Sequence, residues 1–60
     1  MQVWVNRQVI RLAPGMQVKL AVQVAGLWSE VQAGKRVYDD WGNEVGFEGA
    51  LTPGEKLWVR

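Results

Sequence analysis

With no histidine and no cysteine in sixty residues, the chain lacks the commonest general base, nucleophile and soft metal ligands. Its only aliphatic hydroxyls are Ser29 and Thr52, and there is no imidazole to activate either. Asp39, Asp40, Asn43 and Glu44 crowd oxygen atoms into one short stretch, which invites a calcium reading. Their spacing departs from the Asp-x-Asp/Asn-x-Asp/Asn-Gly order of a calcium loop, so a solvated turn is the simpler account. Gly42, Gly46 and Gly49 form neither a dinucleotide fingerprint nor a phosphate loop, and no Lys-Ser/Thr follows them. They read instead as corners that need positive φ. A non-enzyme without metal or cofactor is therefore expected. What remains is an excess of tryptophan, at positions 4, 28, 41 and 58. Indoles bordered by Arg and Lys do recognition chemistry: they bury apolar area against a protein partner, or they stack on bases.

The elements that must position these rings come next. Hydrophobic residues make up 48% of the chain and its net charge is +1, a balance that folds and that creates no global field for nucleic acid or membrane. One domain over residues 1–60 is expected, and at this length only roughly 60% of the unfolded surface is buried, so a partner or dimer is in view from the start. Val3-Trp4-Val5 and Val9-Ile10-Arg11-Leu12, separated by Asn6-Arg7-Gln8, predict a hairpin. Ala13-Pro14-Gly15 ends it in a turn. The segment that follows is ambiguous. Met16, Val18, Leu20, Val22 and Val24 alternate with Gln17, Lys19, Ala21 and Gln23 as in a half-buried strand, yet Lys19, Gln23, Gly26 and Glu30 make one polar stripe of a buried helix. Residues 35–40 and 43–47 flank a corner at Trp41-Gly42, and Thr52-Pro53-Gly54-Glu55 turns into a final strand over residues 56–60.

Val3-x-Val5-Asn6 followed by Leu12-x-Pro14-Gly15-x-x-Val18 resembles the start of sulfur-carrier proteins of the thiamine and molybdopterin type. Val37 through Val59, with Leu51 and the Pro-Gly-Glu turn, resembles the closing half of TGS domains and other ubiquitin-like β-grasp modules. The resemblance implies an α+β fold, a mixed sheet of four to five strands with one helix at about residues 16–29. A small all-β barrel is the alternative. Sulfur carriers act through a C-terminal Gly-Gly, whereas Trp58-Val59 here leads into Arg60, and Arg7 stands where that family usually has Gly. Sulfur transfer of that type is not expected, and a degenerate sulfur-carrier homologue is the form in which that kinship would survive.

Strand alternation puts Val3 and Val5 on one face with Trp4 on the other, and Leu57 and Val59 on one face with Lys56, Trp58 and Arg60 on the other. Val9 and Arg11 oppose Ile10 and Leu12 in the same way, as Arg36 and Tyr38 oppose Val37. The resemblance implies that the first and last strands are parallel neighbours and that the helix covers one side of the sheet. Trp4 and Trp58 would then stand side by side on the uncovered side, and Trp4, Arg11, Tyr38, Trp58 and Arg60 are the expected partner-binding residues. Trp28 is expected in the core and Trp41 exposed at a turn tip. A sheet closed into a barrel, or reversed parity, would instead make Trp4 and Trp58 structural.

The expected function is protein association, by self-association or by docking, on the open face of the sheet. The alternative is a TGS-like module for RNA or other nucleic acid, with rings stacking on bases and cations holding phosphates. No segment reaches the ~20 apolar residues of a membrane span, and residues 1–6 lack the basic start and apolar run of a signal peptide. With no cysteine, a soluble cytoplasmic protein is expected.

Overall fold

Asn6 and Arg7 both take positive φ, 49° and 68°, and this two-residue turn folds β1 (Gln2–Val5) back on β2 (Gln8–Arg11). A turn with two positive φ values matches the right-handed twist of the strands it joins. It is one residue tighter than the sequence implied, because Gln8 already pairs with Val5. The computed structural model describes all residues, 1–60.

After the Pro14-Gly15 turn, where Gly15 has φ 86°, the chain enters α1 (Val18–Val24). Val18, Ala21 and Val22 are buried at helical spacing, so packing decides the strand-or-helix ambiguity of this segment in favour of helix. The single helix expected over about residues 16–29 is corrected to two. Gly26, at φ 78°, ends α1: its amide donates to the Gln23 carbonyl and the Leu27 amide to Val22, the paired bonds of a Schellman cap. A second short helix, α2 (Trp28–Gln32), then starts in a new direction. The Lys19, Gln23, Gly26, Glu30 stripe is thus cut at Gly26.

Two further strands, β3 (Val37–Tyr38) and β4 (Lys56–Val59), complete a four-stranded sheet in the order β2-β1-β4-β3. The central pair β1 and β4 is parallel; both outer pairings are antiparallel. A fifth strand does not develop, and its place is taken by one isolated bridge, Tyr38 with Glu44. The sheet is open, with β2 and β3 as edges, and the two helices rule out the all-β barrel.

Ten aliphatic residues form the core: Val3, Val5, Ile10, Val18, Ala21, Val22, Val37, Leu51, Leu57 and Val59. All the sheet residues among them come from one face, against which α1 packs. Of the three glycines read as positive-φ corners, only Gly42 has that conformation, at φ 84°. Gly49 serves close approach instead, since a Cβ there would sit 3.2 Å from the Gly46 carbonyl oxygen. No helix is long and apolar enough to cross a membrane.

Candidate functional site

The strands that supply the core carry a different set of side chains on their other face. Val3 and Val5 are buried while Trp4 between them is half-buried, and Leu57 and Val59 are buried while Trp58 between them is half-buried. No helix covers this second face.

The parallel register places Trp4 opposite Lys56 and Val5 opposite Leu57, so Trp58 stands one row further along the sheet. The two indoles are diagonal neighbours, not the side-by-side pair that strand parity and the β-grasp resemblance together implied. Both line one cleft of about 420 Å³, together with Arg7, Asp40 and Lys56. Across the next pairing Tyr38 lies opposite Trp58, and the Arg60 guanidinium sits 4.9 Å above the Tyr38 ring, a cation–π distance. The Trp58 indole N–H donates to the Asp40 carboxylate at 3.2 Å.

Four of the five expected site residues, Trp4, Tyr38, Trp58 and Arg60, therefore run in a diagonal band across β1, β4 and β3. Arg11 does not join them. It pairs with Gln2 at the far end of the edge strand β2. Three rows along the strand direction and two strands across, it lies about 20 Å from Arg60.

Four residues of this surface go unmarked by the sequence pattern. Asp40 reads there as part of a solvated turn, and Arg7 as part of a hairpin tip. Lys56 falls on the right face but outside the expected site. Trp41 is expected only as an exposed turn residue, and it is 85% exposed. The signal for Asp40 is present in principle, because a strand tryptophan needs a partner for its indole N–H. Trp28, by contrast, packs on the helix side: its ring meets Phe47 edge-on at 5.2 Å and Lys19 lies 5.1 Å from its centroid.

Charge is distributed unevenly although the total is near zero. Lys35 pairs with Glu30 at 3.4 Å and Arg36 with Glu44 at 3.1 Å. Of the five cations with no carboxylate within ion-pair distance, Lys19 lies over Trp28 on the helix side, while Arg7, Arg11, Lys56 and Arg60 belong to the open face or its hairpin turn. The loop beside Lys56 is acidic and closed by hydrogen bonds. The Asp39 carboxylate accepts from the Trp41 and Asn43 amides, both at 2.9 Å, while the Asp39 amide donates to the Asn43 carbonyl at 2.8 Å. Hydrogen bonding, above all from the Asn43 amide, holds the Asp39 carboxyl below its ordinary range against the opposing effect of desolvation. Trp41 is thus presented on a fixed loop. Glu55 likewise accepts from the Thr52 amide and hydroxyl, at 3.0 and 3.2 Å, and closes the Pro53-Gly54 turn. No group of three His, Cys, Asp or Glu side chains gathers in a way that could hold a metal ion.

Compared with family models, with curated proteins and with solved structures, the chain matches none.

Proposed function

We propose that the chain is a non-enzymatic interaction module of the β-grasp kind, docking a protein partner on the open face of its sheet. A hairpin, a helical crossover on one face and a last strand parallel to the first are what that fold requires, and they support the reading. The observation that carries the function is that Trp4, Tyr38 and Trp58 stand outside the core on the one face that no helix covers. Aromatic residues placed this way supply most of the binding energy of protein interfaces. Affinity capture by immobilised protein, repeated with Trp58→Ala, tests it: the variant should fold and lose the captured partner. Equal capture by both proteins would refute the reading.

The cations of the open face and its hairpin turn, none paired with a carboxylate, favour one second reading, single-stranded nucleic acid, in which Arg7, Arg11, Lys56 and Arg60 would hold phosphates while the rings stack on bases. Titration with a thymidine oligomer distinguishes it. That reading requires quenching of tryptophan fluorescence with an affinity that falls steeply as salt is raised.

A further inference from the structure

The cleft lined by Trp4 and Trp58 has a neighbour. A second depression lies between the loop at residues 39–45 and the turn at residues 52–55, with Trp41 on its wall, and Asp40 and Lys56 line both. These two side chains form a ridge between two lobes of opposite character. On one side Arg7 and Lys56 border a concave cleft with aromatic walls. On the other, Asp39, Asp40 and Glu55 surround an indole that is 85% exposed, on a loop whose backbone is held by the Asp39 carboxylate.

We propose that this surface is self-complementary and that the partner is a second copy of this chain, bound about a two-fold axis through the Asp40–Lys56 ridge. The proposal rests on the interaction-module reading above and names its partner. A two-fold interface brings residue i against j and j against i. Asp40 of each copy then faces Lys56 of the other at the axis, and each Trp41 enters the opposite Trp4–Trp58 cleft. The acidic lobe meets Arg7 in both halves of the interface. A two-fold arrangement that set cleft against cleft would oppose the unpaired cations instead, so charge selects the reciprocal docking. The cleft, at about 420 Å³, falls within the roughly 300–1,000 Å³ of pockets that take small organic groups. Asymmetric docking of Trp41 into the next copy would propagate into chains, whereas the shared ridge lets the contact close on itself.

Sedimentation velocity over a range of protein concentrations tests this directly. The chain should sediment as a dimer, and Trp41→Ala, at a position too exposed to matter for folding, should weaken dimerisation by about 30-fold or more. Asp40→Lys and Lys56→Glu each place like charges together at the axis and should leave monomers. Mixed in equal amounts, they should form a heterodimer, because every ridge contact is again between opposite charges. A chain that stays monomeric at millimolar concentration overturns the proposal. So does a dimer indifferent to Trp41→Ala, or a charge-reversed pair that does not recombine. The broader reading fails separately: a monomer whose Trp58→Ala variant loses a different protein partner ends only the dimer, and a monomer that loses nothing ends both.

Discussion

The two faces of the sheet use the same strands and carry opposite kinds of side chain. On the helix-covered face the positions contributed by β1, β3 and β4 are all aliphatic and buried, from Val3 and Val5 through Val37 to Leu57 and Val59. On the open face Trp4, Tyr38, Lys56, Trp58 and Arg60 are half-buried or exposed, tied down by single contacts such as Trp58 to Asp40 and Arg60 over Tyr38. The difference separates what holds the fold from what is free to bind. The core of ten residues contains none of the four tryptophans. In a chain this small, leaving that much aromatic surface out of the core forfeits stabilisation that the fold could have used.

The sharpest way to break this contrast is to truncate one residue on each face of β4. Leu57, fully buried, should lose about 2–5 kcal/mol on substitution by Ala, a large share of the roughly 3–9 kcal/mol available to a domain of this length. Urea unfolding followed by far-UV circular dichroism reads the effect. Trp58→Ala, the adjacent residue, should lose less than half of the ~3–5 kcal/mol of an aromatic core deletion. It should weaken partner binding by about 2 kcal/mol or more. Equal stability losses at the two positions would erase the distinction between the faces.

A smaller effect tests the helical layer that makes one face closed. Gly26→Ala puts a side chain at φ 78° where no atom lies within 4 Å, so its cost should be conformational, about 1–2 kcal/mol. A variant more stable than the parent would mean that α1 and α2 prefer to join into the single helix that the β-grasp resemblance implied.

The smallest effect concerns the loop that borders the open face. The folded Asp39 carboxyl titrates below its ordinary value of 3.8, so its contribution is complete above about pH 5 and is lost as pH falls through the folded value. The amide shifts of Trp41 and Asn43 should therefore titrate with a midpoint below 3.8, and Asp39→Asn should abolish that transition. A midpoint at or above the ordinary value would show that the loop does not hold Trp41 as described.

Much of this contrast is legible in the sequence. Period-two alternation in Val3-Trp4-Val5 and Leu57-Trp58-Val59 assigns each side chain to a face, because successive Cβ atoms must point to opposite sides of a strand. Pro14-Gly15 and Pro53-Gly54 mark turns for equally local reasons, as do the positive φ values of 86° and 81° at their glycines. The diagonal offset of the two indoles is not legible there, since it depends on the register of strands separated by about fifty residues of chain. Nor is the break at Gly26: a glycine inside a helical pattern lowers its stability by only ~1 kcal/mol, and which way the chain leaves the helix depends on where Leu27 and Trp28 find the core.

The sequence alone determined which residue types are at hand, where the Pro-Gly turns fall, and the face to which each strand residue belongs, all consequences of residue type and of geometry over a few neighbouring peptides. Only the tertiary structure decided which faces meet. It set β4 beside β1, brought Asp40 to the Trp58 indole, left Arg11 at a far corner, and placed Arg7 and Lys56 beside Asp40 in a chain of net charge +1. The reason is physical: alternation and turn propensity act within a strand or a turn, whereas register between distant strands is fixed only when α1 buries Val18, Ala21 and Val22 against them.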